Sequence, residues 1–207
     1  METYKIILVG DSTVGKTNLL TQYVDEKFTE ENISTVGIEF KNKIIQLKNG
    51  NKFRLQIWDT SGQEKFMSLT KNYFRGGNVA IFVFDVTNKN SFTNIPIWLN
   101  LYKEVNSENS KRVLIGNKID LGKREVSREE AENFAKENNL QYFEISVKEN
   151  KDNQINNMFV HIVESFGFNN IVFNEEQNSS TNLIGQGKRR GNKIVNNNQE
   201  NNRGCCN

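Results

Sequence analysis

The 207-residue chain has little of what staples a fold or crosses a bilayer. Its two cysteines, Cys205 and Cys206, both stand at the far C-terminal end, so no disulfide framework or thiolate metal site belongs to the body of the fold. The lone histidine, His161, reads as a helix-surface residue, not a ligand. No apolar run reaches the ~20 residues that span a membrane, and Met1 to Lys5 lead straight into an apolar strand with no secretory pattern. Glu2 stands where N-myristoylation needs glycine. Neither sign of charge dominates: 27 Lys and Arg against 25 Asp and Glu leave a net charge of +2, which gives no reason to expect nucleic-acid binding. The folded body is expected in the cytosol. A single proline, Pro96, punctuates the chain; it is tolerated if a regular helix starts beside it and otherwise kinks the first turns.

What the chain does have is concentrated in Gly10-Asp11-Ser12-Thr13-Val14-Gly15-Lys16-Thr17, between the apolar strand Ile6 to Val9 and a helical pattern beginning near Asn18. Gly10 and Gly15 let the backbone curl so that successive N–H groups point inward, and the following helix adds the positive end of its dipole. The product is a cradle for a polyphosphate. Lys16 can bridge the outer phosphates, and the Thr17 hydroxyl can take one position on a Mg²⁺ ion shared with them.

With 36% hydrophobic residues, the length suits one α/β domain plus a tail. Leu19, Leu20, Tyr23 and Val24 recur at helical spacing and pack the first helix on the sheet. Glu26 to Thr35, with Phe28, is too polar for core and reads as a solvent-facing loop. Ile38 to Leu47 and Phe53 to Trp58 flank Asn49-Gly50 and predict an antiparallel hairpin, with Phe53, Leu55 and Ile57 on one face and Trp58 on the other. Val79 to Val86, Arg112 to Gly116 and Gln141 to Ile145 read as buried strands. Helical patterns cover Ser91 to Val105, Ser127 to Glu137 with a capping box at Ser127 and Glu130, and Asn153 to Phe166. This alternation makes a mainly parallel sheet with helices on both faces. From about Asn169 an Asn-rich polar tract begins that cannot bury enough surface to fold and is expected to be disordered.

Two more constellations fall on strand ends at the edge that carries the phosphate loop, where open α/β sheets bind ligands. In Asp59-Thr60-Ser61-Gly62-Gln63-Glu64, Asp59 can hold Mg²⁺ directly or through water, Gly62 lets its N–H approach a terminal phosphate, and the Gln63 amide can orient an attacking water. In Asn117-Lys118-Ile119-Asp120, followed by Ser146-Val147-Lys148 on the next strand, the Asp120 carboxylate can accept from the N1–H and N2 amine of guanine. Adenine offers neither donor.

GDSTVGKT, Thr35, DTSGQ, NKID and SVK, in order and in register, resemble the Ras-like small GTPases over residues 3 to 168. That resemblance implies a single P-loop GTPase domain over residues 1–168. Its sheet would be six-stranded and mostly parallel with one antiparallel strand, flanked by five helices, and residues 169–207 would form the tail. It further implies GTP and GDP with Mg²⁺ as ligands and GTP hydrolysis as the chemistry. The backbone of Asp11, Ser12, Thr13, Val14 and Gly15 would line the phosphates. Lys16 would contact the β- and γ-phosphates, Thr17 and Thr35 would bind Mg²⁺ with Asp59, and Gln63 would position water, making Gln63, Lys16 and Thr35 the catalytic set. Asn117 and Asp120 would read guanine, Phe28 and Lys118 would pack against the nucleoside, Ser146 would support the loop with Lys148 beside it, and Val147 would offer its N–H to the base.

Within that superfamily, Ile38-Glu39-Phe40, Arg54 to Trp58, Lys65 to Thr70, Tyr73 to Gly76 and Cys205-Cys206 resemble the Rab branch. The resemblance implies a partner-reading surface of Phe40, Trp58 and Tyr73, for which core packing is the plain alternative. It also implies switch loops around Ile33 to Gly37 and Gly62 to Tyr73, and prenylation of Cys205 and Cys206. The implied partners are an exchange factor, a GTPase-activating protein, a GDP-dissociation inhibitor, a Rab escort protein and GTP-dependent effectors. The lipid anchor would place the protein on the cytoplasmic face of an intracellular membrane or the plasma membrane, with a cytosolic pool, in vesicle traffic. Thr13, Ser61 and Val147 depart from the usual small residues of the family. Three alternatives stay open on the residues alone: a P-loop ATPase or small-molecule kinase, a slow nucleotide-dependent scaffold, or another Ras-like branch.

Overall fold

Strand β1 (Thr3–Val9) is apolar on both faces, and this sets the architecture. Ile6 and Leu8 enter one core with Leu19, Ile57, Ile81 and Phe159, while Ile7 and Val9 enter a second with Phe82, Phe84, Trp98 and Leu114. A strand that feeds two cores must lie inside a sheet covered on both sides. The computed structural model describes residues 1–30, 38–47, 50, 52–60, 67–106, 110–165, 171–172 and 179–181.

β1 runs parallel to β3 (Lys52–Thr60) and to β4 (Val79–Asp85), which continues in parallel to β5 (Lys111–Asn117) and β6 (Gln141–Glu144). β2 (Ile38–Leu47) closes the other side antiparallel to β3, with Phe40 opposite Trp58 and Gln46 opposite Lys52. The six expected strands and their one antiparallel member are therefore present, in the order β6-β5-β4-β1-β3-β2. Asn49 of the hairpin turn lies outside the described residues.

Among the described residues the α-helices are α1 (Lys16–Asp25), α2 (Met67–Phe74), α3 (Lys89–Thr93), α4 (Ile95–Lys103), α5 (Arg128–Glu137) and α6 (Gln154–Glu164). Three features differ from the sequence expectation. α2 occupies what reads as a loop. The single helix expected over Ser91 to Val105 is broken at Asn94, with Pro96 in the first turn of α4, where a missing N–H costs no hydrogen bond. Counting that pair as one gives the five expected helices. At α5 only half of the capping box forms: the Ser127 hydroxyl accepts from the Glu130 N–H at 3.1 Å, but the Glu130 carboxylate pairs with Lys89 across to α3.

Past α6 the composition predicts a disordered tract from about Asn169, and at two short stretches the structure differs. The structure adds β7 (Ile171–Val172) and β8 (Ser179–Thr181) to the outer edge of β2, where Val172 pairs with Gln46 and Thr181 with Phe40. Polar composition argues against core burial, but strand addition uses backbone groups that an open edge offers to any residue except proline. The rest of the tail, with Cys205 and Cys206, lies outside the described residues.

Candidate active site

The loop after β1 is forced into shape by close approach. At Gly10 the backbone has φ 142°, and a Cβ there would sit 2.2 Å from the Val83 carbonyl oxygen. Gly15 has φ 102°, and its Cβ would sit 2.4 Å from Asn117 Nδ2. Between them Thr13, a β-branched residue, holds φ 62°, a region that favours glycine. Val14 is buried and pins the loop to the core. α1 then begins at Lys16 with no side chain capping it, so its first N–H groups face the loop and suit an anion.

Lys16 is 6% exposed, and its ammonium donates to the carbonyls of Gly10 at 2.8 Å and Asp11 at 2.6 Å. Burial lowers its pKa to about 8, against the pull of Asp59 and Asp11. One residue on, the Thr17 hydroxyl donates to Asp59 Oδ2 at 2.6 Å, joining α1 to the end of β3. Asp59 is fully buried there. A hydroxyl and a carboxylate so close, beside the phosphate loop, form a hard-oxygen pair that suits Mg²⁺. Among the described residues no cluster of three His, Cys, Asp or Glu side chains competes for a metal. Such an ion would take oxygen ligands from water and phosphate as well.

The third part of the site is clamped by Asn117. Its Nδ2 donates to the Val14 carbonyl at 2.8 Å, and its Oδ1 accepts from the Val147 N–H at 3.1 Å. One carboxamide thereby ties the phosphate loop to two strand-end loops. The Val147 amide assigned to the base by resemblance is engaged by Asn117 in this structure. Asp120 Oδ1 accepts from the buried Ser146 hydroxyl at 2.6 Å, which aims the carboxylate, and the same hydroxyl accepts from the Glu149 N–H at 3.0 Å. Lys118, at φ 67°, sends its ammonium to Asp85 Oδ2 at 2.8 Å. Phe28 is half-buried against the core, and Lys148 meets Glu30 at 2.8 Å across the mouth between these loops.

Asp85 is a site residue that the sequence reading missed. It ends β4 on the same edge, its second oxygen accepts from the Thr87 N–H and hydroxyl at 2.8 and 2.7 Å, and it fixes Lys118. The available signal was position alone: an acid at the carboxyl end of a buried strand.

Beside this edge Phe40 stacks on Trp58, with centroids 4.9 Å apart, and Tyr73 stands 6.2 Å from Trp58. Phe40 and Trp58 are half-buried and Tyr73 is 38% exposed, so the trio is a surface and not core. Lys5, also missed, holds its ammonium 4.6 Å over the Trp58 ring and donates to the Tyr73 carbonyl at 2.5 Å. Thr35, Gly62 and Gln63 lie outside the described residues.

Comparison with known proteins shows the family. The model of the Ras family matches residues 5–167. The chain is similar to Ras-related protein Rab-2B of Dictyostelium discoideum, at 47% identity over 70% of this chain and 72% of the relative. It is similar to Ras-related protein SEC4 of Saccharomyces cerevisiae at 37% identity, over 98% of this chain and 90% of the relative. Ras-related protein Rab-13 of Mesocricetus auratus is 38% identical, over 92% and 94% of the two chains.

Proposed function

Because the chain belongs to the Rab branch of the Ras family of small GTPases, we propose that it regulates vesicle traffic as a lipid-anchored switch driven by the site described above. It binds guanine nucleotide and hydrolyses GTP to GDP and phosphate, as the family does. One observation carries the residue assignments: the ends of β1, β3, β4 and β5 and the loop after β6 bring Lys16, Thr17–Asp59, Asp85–Lys118, Asn117 and Asp120–Ser146 to one edge of one sheet.

In this reading the phosphate loop and the uncapped start of α1 bind the phosphates, and Lys16 exchanges its two carbonyl partners for phosphate oxygens. Mg²⁺, when bound by Thr17, Asp59 and Thr35, supplies neutralisation of the phosphate charge. Gln63 orients the attacking water, and Gly62 directs an N–H at the terminal phosphate. Asp120, aimed by Ser146, accepts the two guanine donors, and Lys118, steadied by Asp85, lies along the nucleoside with Phe28. The segments around Ile33 to Gly37 and Gly62 to Tyr73 order on the γ-phosphate and present Phe40, Trp58 and Tyr73 to effectors. Exchange factor, activating protein, GDP-dissociation inhibitor and escort protein act on this cycle.

Cys205 and Cys206 carry two isoprenoid chains, since one lipid anchors only marginally and two anchor stably. Lys188, Arg189 and Arg190 add attraction to anionic lipid. Changing both cysteines to serine should move the protein from membranes to cytosol with GDP affinity intact. Intact mass of the parent without added isoprenoid, or undiminished membrane recovery of the double variant, would overturn the anchor.

A further inference from the structure

Asp11 is the one acid inside the loop that receives polyphosphate. An anion there repels the ligand through a partly desolvated medium unless its charge is engaged elsewhere. The structure shows where. Asp11 Oδ1 accepts from Trp98 Nε1 and Oδ2 accepts from Asn94 Nδ2, each at 2.7 Å. Both donors belong to the start of α4: Asn94 is the residue at which α3 and α4 break, and Trp98 lies in the first turns. Trp98 is 1% exposed, so its indole N–H sits where an unmade hydrogen bond is costly. The Asp11 carbonyl meanwhile accepts from the Lys16 ammonium at 2.6 Å. One residue thus has its carboxylate held by α4 and its backbone held by the lysine that meets phosphate.

Resting on the phosphate-loop assignment above, we propose that Trp98 and Asn94 are positioning residues for nucleotide retention. They turn the Asp11 charge toward α4 and away from the phosphates. α4, which contributes nothing to the site by sequence motif, thereby sets how long the nucleotide stays. Loss of both donors leaves a carboxylate free to swing toward the phosphates. Removal of that carboxylate in the same protein relieves the repulsion. A purely structural role for Trp98 would show no such rescue.

The test is release of a fluorescent GDP analogue, chased with excess GDP in Mg²⁺ buffer, from the full-length parent, Trp98→Phe/Asn94→Ala, and the triple variant that adds Asp11→Ala. Two hydrogen bonds to a charged group are lost, so the double variant should release about tenfold faster than the parent. The triple variant should return to within about threefold of the parental rate. In ¹⁵N-labelled protein the Trp98 indole N–H resonance should move upfield in Asp11→Ala while that of Trp58 stays in place. If Trp98→Phe does not fold, Asn94→Ala and Asp11→Ala/Asn94→Ala carry the same comparison with a smaller effect. Parental release from the donor variants, or fast release that persists after Asp11 is removed, would overturn the proposal. A parent that retains no GDP would overturn the loop assignment itself, and this proposal with it.

Discussion

Asn117 Nδ2 donates to the Val14 carbonyl at 2.8 Å, a bond across 103 residues that locks the phosphate loop to the loop that reads the base. Asn117→Ala would leave buried Val14 and Val147 backbone groups unpaired, a cost of about 2–4 kcal/mol. It should speed GDP release by roughly tenfold or more with guanine preference over xanthine unchanged. Asp120→Asn should do the opposite: its amide can donate to the carbonyl that xanthine carries at position 2, so preference shifts toward xanthine nucleotides. Competition of GDP and XDP for the two variants checks both, and a shift of preference in the Asn117 variant would contradict the division of labour.

Lys16 makes retention sensitive to alkali. Its pKa is lowered to about 8 by burial, from the ordinary lysine value of 10.5. The unfolded chain binds more protons than the folded one between those values, so this group makes stability rise with pH through that window. Phosphate binding runs the other way, because it needs the ammonium. GDP affinity should be flat below about pH 8 and fall by up to roughly tenfold per unit just above it, whereas Lys16→Arg, permanently charged, should bind more weakly with a flat profile. Titration calorimetry between about pH 7 and 9 checks this, and a flat parental profile would contradict it.

Thr13 holds φ 62° with an exposed side chain that makes none of the described hydrogen bonds of the loop. An L-residue in the left-handed region costs about 1–2 kcal/mol, while glycine loses about 0.4–1 kcal/mol through the unfolded state. Thr13→Gly should therefore raise the melting temperature of the GDP-loaded protein by about 2–4 °C. A lower melting temperature would show that the Thr13 side chain stabilises the loop.

The parts of this site that sequence could reveal are those whose chemistry is local. Gly10, Gly15, Lys16 and Thr17 lie within one turn of chain, and Asp59 and Asn117 to Asp120 announce themselves at strand ends. The alternation of apolar strands with helical patterns also carried the sheet, because such a chain buries its strands under helices on both faces. What stayed hidden depends on distance along the chain. Asp85 reaches Lys118, Trp98 reaches Asp11 and Asn117 reaches Val14 only after folding, and no spacing in the sequence encodes those meetings. α2 was missed because its packing, Phe74 against Tyr102 and Lys71 against Glu104, is on α4 and not within its own apolar stripe. The α3–α4 break was foreshadowed by Pro96, but Asn94 as its corner was not.

The central claim is that this edge binds and hydrolyses GTP. Single-turnover phosphate release tests it most directly, with protein loaded with GTP, a parallel trial with ATP, and Gln63→Leu as the variant. The parent should convert GTP to GDP at a rate on the order of 10⁻⁴ s⁻¹, as Ras does unaided, the variant should be slower with GTP still bound, and ATP should not be retained. Bound GTP that stays intact in the parent over a day, or ATP consumed as readily as GTP, would contradict the account.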